Sequence, residues 1–342
     1  VRRTIKHISG KILITAFIAA TVILRHSGAQ DGPAHKKLEI VTTLFPTYDF
    51  ARQIGKDRVN VTLLLPPGIE AHTFEPKPAD MVRINKADIF IYTGKYMEPW
   101  VADMLDGVSN KSLTVVDSSK GIVMMAGVEH DHGNDHDEQR DKHDGDEHDD
   151  KAAGHGQEEN GHAHGGIDPH IWLDLGNACI MVDGIAKAMT EKDPGNKDFY
   201  LRNADEYKTR LLKLDEEFRD MIKRCDKKSI ICGGHFTFGY FARRYGLDYE
   251  TPYKGFSPNA EPTPKAIVEV IEKLRSRGLK YIYYEELIDP KVARIISSET
   301  GAKLELLHGA HNISKEELQN GITFVDILES DKEKLKAGLE CR

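Results

Sequence analysis

KLEIVTTLFPTYDFARQIGKDRVNVTLLL, residues 37–65, is the stretch on which the fold turns. Residues 38–44 are an apolar run of strand length, the next residues through Ile54 have amphipathic helical spacing, and residues 59–65 are a second apolar run. A parallel partner strand needs a crossover, and a helix supplies it, so strand, helix, strand is the unit of a parallel sheet. The pattern continues with a helix at 78–87 and strands at 89–93 and 113–116. The apolar runs are continuous rather than alternating, as expected for strands covered on both faces. An α/β lobe over residues 36–173 follows, and 342 residues leave room for a second.

From 175 to 225 the spacing is helical, broken only at Pro194-Gly195, with Phe199, Leu201, Tyr207, Leu211, Leu212, Leu214 and Phe218 recurring along the second part. About thirty residues of helix span ~45 Å, the length of a small protein, so 174–226 reads as a helical spine between two lobes. Alternation then resumes: strand 229–232, helix 238–245, helix 264–275 capped by Thr263 with Pro264 as its first residue, strand 280–284, helix 290–300, strand 304–307 and helix 324–339. The expected fold class is α/β, with two lobes (the second 227–342), each a small, mostly parallel sheet flanked by helices, joined by one long rigid helix.

Lys+Arg 47 against Asp+Glu 55 gives −8, and no basic stripe is present, which argues against a nucleic-acid partner. The acidity is concentrated. Between Glu129 and Asn160 thirteen acidic residues face only Arg140, Lys142 and Lys151, leaving the remainder slightly positive. The same segment, taken as an insertion over 129–166, holds half of the 16 histidines: His130, His132, His136, His143, His148, His155, His162 and His164. It is too polar to bury and is expected to be disordered, a low-affinity collector of cations whose imidazoles, titrating near 6.5, release metal below about pH 6. At the amino end, Arg2, Arg3, Lys6 and Lys11 precede an apolar run at 12–24 and the small residues Ser27-Gly28-Ala29, which reads as a secretory signal over 1–29 and places the mature protein outside the cytoplasm. Of the four cysteines, Cys225 and Cys232 are close enough to bridge locally, while Cys179 and Cys232 also read as buried small hydrophobes.

Ligands of open parallel sheets collect beyond the carboxyl ends of the strands. His72 follows run 59–65, His235 follows strand 229–232, and His311 follows strand 304–307, while His170 lies in Asp168-Pro-His-Ile-Trp-Leu-Asp174 at the start of the spine. Four imidazoles around one ion make a tetrahedral nitrogen cage, which suits Zn²⁺ and fits the oxygen-preferring Mn²⁺ or Mg²⁺ poorly. Asp168, Asp174, Glu70 and Glu75 are the carboxylates near enough to hold the second ring nitrogens. The fourth position stays open: His308, Glu285 or Glu286 could take the place of His311. A zinc hydrolase would need a base such as Glu70 or Glu261 beside an open coordination position, and no HExxH motif or second metal cluster accompanies them, so no enzymatic activity is expected.

These residues fall in motifs. Val41-Thr-Thr-Leu-Phe-Pro46, Ala71-His-Thr-Phe-Glu-Pro-Lys-Pro-Ala-Asp80, Asp168–Asp174, His235-Phe-Thr-Phe-Gly-Tyr-Phe-Ala-Arg-Arg-Tyr-Gly246 and Ser257-Pro-Asn-Ala-Glu-Pro262 occur in this order across the chain. In these the chain resembles the zinc and manganese solute-binding proteins of ABC importers, the cluster A-I group. The resemblance implies two lobes bridged by a rigid helix, a metal held between them, and delivery to a membrane permease powered by a cytoplasmic ATPase; a monomer is expected. It also implies that His72, His170 and His235 occupy the first three ligand positions. Manganese binders usually carry a carboxylate at the third, so His235 favours zinc. The last position, normally Asp or Glu, falls in Leu306-Leu-His-Gly-Ala-His-Asn-Ile-Ser314, where His311 stands. The acidic, histidine-rich insertion resembles the loop of zinc-type members. A manganese or iron binder of the same family, and a passive extracytoplasmic zinc buffer, are the alternatives.

Overall fold

The computed structural model describes residues 36–126, 166–256 and 261–342. The leader at 1–29 and the eight insertion histidines, His130 through His164, lie outside the described residues. In the first lobe, β1 (Leu38–Thr42), α1 (Phe45–Gly55), β2 (Val59–Leu63), α2 (Pro78–Lys86), β3 (Ile89–Tyr92), α3 (Val101–Asp106) and β4 (Thr114–Asp117) follow one another. All strand pairs are parallel, in the order β2-β1-β3-β4.

Successive side chains leave opposite faces of a strand, and both faces here are covered. Ile40, Ile89 and Ile91 join the large core with Phe50 and Ile54 of α1. Val41 and Phe90 join Ile84 and Met104, from α2 and α3, on the other side. That two-sided burial is why the central strands read as unbroken apolar runs. The edge strands depart from the expectation: Asn60 and Thr62 of β2 and Val115 of β4 are exposed. Gly55 ends α1 where Val59 crowds in, since a Cβ there would sit 2.3 Å from a Val59 methyl.

α4 (Leu175–Lys192) and α5 (Lys197–Lys223) form a hairpin across Pro194–Asn196 rather than one continuous rod. α4 packs against α1, β3 and β4. The linking helix is α5, whose 27 residues reach about 40 Å. It runs from α1 to the helices of the second lobe, burying Tyr200, Ala204, Tyr207, Leu211, Leu214 and Phe218 at three- and four-residue spacing. Leu201 and Leu212, counted with that stripe in the sequence, are 40% and 49% exposed.

The second lobe contains β5 (Ser229–Ile231), α6 (Gly239–Tyr245), β6 (Asp248–Glu250), α7 (Pro264–Ser276), β7 (Tyr281–Tyr284), α8 (Lys291–Thr300), β8 (Lys303–Leu306), α9 (Lys315–Gln319) and α10 (Phe324–Gly338). Strands β5 and β6 pair in parallel, as do β7 and β8, and a parallel bridge between Cys232 and Tyr283 joins the two pairs. The succession is therefore β6-β5-β7-β8, the same permutation as in the first lobe. Strand order reverses between β1 and β3 and again between β5 and β7, which opens a crevice at the carboxyl ends of each sheet. Thr263 caps α7 through Ala266 N–H, as its position before Pro264 predicts.

The disulfide joins Cys225 to Cys341, not to Cys232. Cys232 is fully buried at the end of β5, its N–H bonded to Glu250, and so faces the core. Cys225, just past the end of α5, instead meets the C-terminal residues in an antiparallel bridge.

Candidate metal centre

His72, His170, His235 and His311 come together: one ligand atom from each lies within 4.8 Å of the others. The six separations between ring centres run only from 4.8 to 5.5 Å. Four points with six nearly equal separations are the corners of a tetrahedron. A tetrahedron of this size has its centre about 3.2 Å from each corner, matching a Zn–N bond of about 2.0–2.1 Å plus roughly 1.1 Å from nitrogen to ring centre. His170 Nε2 is 3.2 Å from His72 Nε2 and 3.3 Å from His235 Nε2. Tetrahedral zinc bonds of that length set their nitrogens about 3.3 Å apart.

Each ring is held from behind. Asp168, fully buried, accepts both the N–H (2.9 Å) and Nδ1–H (2.8 Å) of His170 through one oxygen. Glu285, just past β7, accepts from His235 Nδ1 at 2.5 Å. Its neighbour Glu286 accepts from His311 Nδ1 at 3.1 Å and from the N–H groups of Gly309 and His311. His235 follows β5 and the two glutamates follow β7, so this support sits at the strand-order reversal of the second sheet. For His72 the control is on the loop: Glu70 accepts the N–H of His72 (2.8 Å) and Thr73 (2.9 Å). Such partners fix which nitrogen faces the metal.

The loop carrying His311 is tied to the first lobe. Asn312 donates to the carbonyls of Pro66 and Ile69 at 2.8 Å each, Gly68 N–H donates to Ile313, and Phe45 N–H donates to the carbonyl of His311. Trp172, with no exposed surface, donates its indole N–H to Gly309 at 2.8 Å and sets its ring edge-on to His170 and His311. Asp174 caps α4 and pairs with Arg244.

Of the four carboxylates expected behind the rings, only Asp168 is there. Glu70 and Asp174 serve backbone groups, and Glu285 and Glu286 take the remaining ring positions. Glu285 and His308, the substitutes considered for the fourth position, stand outside the four-ring cluster. Ala310, in the left-handed region at φ 57°, reverses the chain between His308 and His311. His308 Nδ1 therefore accepts from Ala310 N–H while its other nitrogen faces Glu317 at 3.8 Å.

Burial, followed by the charges of His235 and His311, lowers the His72 pKa to about 2. Burial likewise lowers that of His170. For His311 burial alone would lower the pKa, but the Glu286 carboxylate outweighs it and the net direction is up. Burial would raise Glu286, yet His308 and His311 hold it below the usual carboxylate range. Asp168 is pushed up to about 8 by burial. The rings of His72 and His170 thus shed their protons easily, leaving lone pairs free to bind a cation, whereas His311, held by Glu286, yields its proton less readily.

Two lobes of parallel sheet, a long helix between them and imidazoles from both directed at one point define a two-lobed metal-binding protein. The chain belongs to the family described as zinc-uptake complex component A, periplasmic (ZnuA), which matches residues 40–338. It is 35% identical over 333 residues to the high-affinity zinc uptake system protein ZnuA of Bacillus subtilis (strain 168), covering 97% of each chain. To the zinc-binding protein AdcA of Streptococcus pyogenes it is 30% identical over 325 residues, covering 95% of this chain but 60% of AdcA. The crystal structure of the metal-dependent lipoprotein YcdH from Bacillus subtilis matches with a TM-score of 0.69 at 34% identity, covering 89% of this chain and 99% of that one. The Zn(II)-bound ZnuA-like domain of Streptococcus pneumoniae AdcA matches with a TM-score of 0.68 at 27% identity, with the same coverage. Family membership makes this an extracytoplasmic zinc-binding component, not an enzyme. Among the described residues no helix is long and apolar enough to cross a membrane.

Proposed function

We propose that the protein captures a single Zn²⁺ between lobes 36–173 and 227–342, through His72, His170, His235 and His311, and surrenders it to the membrane permease of an ABC importer driven by a cytoplasmic ATPase. The observation that carries the reading is the near-tetrahedral set of six ring separations. An all-nitrogen cage disfavours Mn²⁺, and the carboxylates behind three rings offset the charge of the caged ion without ligating it there. The insertion histidines, His130 through His164, act as a weaker collecting site. Zinc titration of the intact chain and of one lacking 130–164 tests both parts. A tight one-to-one site persists in the shortened chain while a weaker class of sites disappears. Loss of the tight site with the insertion would leave a passive buffer as the better account.

Zinc needs neutral imidazoles and a charged Asp168. Without metal, burial raises the Asp168 pKa to about 8, so near pH 7 Asp168 retains a proton that zinc must expel, and the Glu286 carboxylate, against burial, raises that of His311, which makes its proton harder to displace. Affinity therefore falls as pH drops through the Asp168 value of about 8. Calorimetry at pH 7 in two buffers of different ionisation enthalpy should report net proton release on zinc binding. Release of none would mean the cage is already deprotonated.

A further inference from the structure

Beside the cage lies a cavity of about 20 Å³, lined among others by His235, His311, Glu70, Glu285, Ile69 and Leu287. That volume holds one water or one cation stripped of most of its hydration shell. Ile69 and Leu287, 46% and 41% exposed, come from opposite lobes. Leu287 is in the left-handed region at φ 61°, a backbone strain that the packing of this loop must sustain.

Glu285 is only 3% exposed. Its Oε2 is occupied, accepting from His235 Nδ1 and from the Thr237 hydroxyl at 3.1 Å. Its Oε1 is buried with no hydrogen-bond partner among the described residues. A buried carboxylate oxygen left bare is costly, so an occupant for it is expected. Room for that oxygen exists because residue 234 is glycine: a Cβ there would lie 1.7 Å from Oε1.

We propose that this cavity is the port by which the cation passes between solvent and the cage, and that the Glu285 carboxylate, which lines it, supplies the oxygen ligand that meets the ion there. The inference rests on the zinc-capture reading above. The chemistry is ligand substitution alone. A hydration water leaves as the carboxylate oxygen binds the ion, and that bond breaks as imidazole nitrogens replace it. Nitrogen is the better donor for zinc, so the ion does not remain at the port. A carboxylate in a narrow, weakly screened opening also draws cations inward.

The test measures zinc association by stopped flow, and dissociation into excess chelator, for the full chain and two variants. Glu285→Gln keeps the size and an oxygen for His235 but removes the charge. It should slow association about tenfold and flatten its dependence on ionic strength. Because Glu285 also holds His235, Kd should weaken as well, by about ten- to a hundredfold, so the association rate and its salt dependence are what report on the port. Ile69→Trp narrows the cavity without touching a ligand and should slow both rates about fivefold at unchanged Kd. Faster dissociation of Glu285→Gln at an unchanged association rate would overturn the proposal, reducing Glu285 to a support for His235. Unaltered rates in Ile69→Trp would place the port elsewhere. Failure of the unmodified chain to bind zinc one-to-one would instead refute the capture reading beneath it.

Discussion

Replacing His170 by alanine is expected to weaken zinc binding by about 3 kcal/mol, roughly a hundredfold in Kd, taking structural zinc sites at about 10–16 kcal/mol shared among four ligands. His170 is the most buried of the four, and its Nε2 faces two other ring nitrogens at 3.2 and 3.3 Å. Asp168→Asn should cost less, about ten- to a hundredfold, because it disturbs the orientation and basicity of the ring and leaves the ligand in place. Thermal unfolding separates these effects from misfolding. Zinc at a thousand times Kd stabilises the folded chain by about 4 kcal/mol, and His170→Ala should lose most of that increment at the same zinc concentration. The metal-free variant should unfold near the metal-free parent, since the mutation also relieves four lone pairs converging on one point. A variant that keeps the full zinc-induced shift would remove His170 from the cage.

The second large effect concerns the Cys225–Cys341 disulfide, which closes a loop of 116 residues containing the entire second lobe. In the chain-entropy account a loop of about 100 residues is worth roughly 4.7 kcal/mol, mostly through restriction of the unfolded chain. The double variant Cys225→Ser with Cys341→Ser should therefore lose about 4 kcal/mol in urea unfolding, and reductant should have little further effect on it. Zinc affinity of the folded variant should change little, because the bond lies at the end of α5 and the chain terminus while His235 and His311 sit on loops beyond β5 and β8. Coincident unfolding curves for parent and variant would show that the bridge contributes nothing to stability.

Much of this architecture is legible in the sequence because burial on both faces of a parallel strand leaves an apolar run with little else to explain it. The central strands β1, β3, β5 and β7 stand out for that reason. Elements below two helical turns, such as α3 and α9, carry no periodicity to detect, and the three-residue β6, Asp-Tyr-Glu, lacks even the apolar run that marks the equally short β5. The hairpin of α4 and α5 was hidden by a different cause: Pro194-Gly195 marks a break but does not give its angle.

At the site, position after a strand end identified His72, His235 and His311, and the Asp168–Asp174 motif supplied His170. What sequence could not supply was direction. His308 and His311 are three residues apart and both buried, and only the left-handed turn at Ala310 sends one to the cluster and the other toward Glu317. The adjacent Glu285 and Glu286 support two different rings, an arrangement set by β7 ending at the strand-order reversal. Position after a strand, already used for the histidines, is the signal that could have assigned these two glutamates their roles. Cys341 lay too far from Cys225 along the chain for spacing to suggest their pairing.

The most direct measurement is X-ray absorption at the zinc edge of the protein loaded with one equivalent of Zn²⁺. Four imidazole nitrogens at about 2.0 Å, with the multiple scattering of four rings and no oxygen in the coordination sphere, is the predicted result. A sphere containing a carboxylate or water oxygen, or fewer than four imidazoles, would contradict the four-histidine cage.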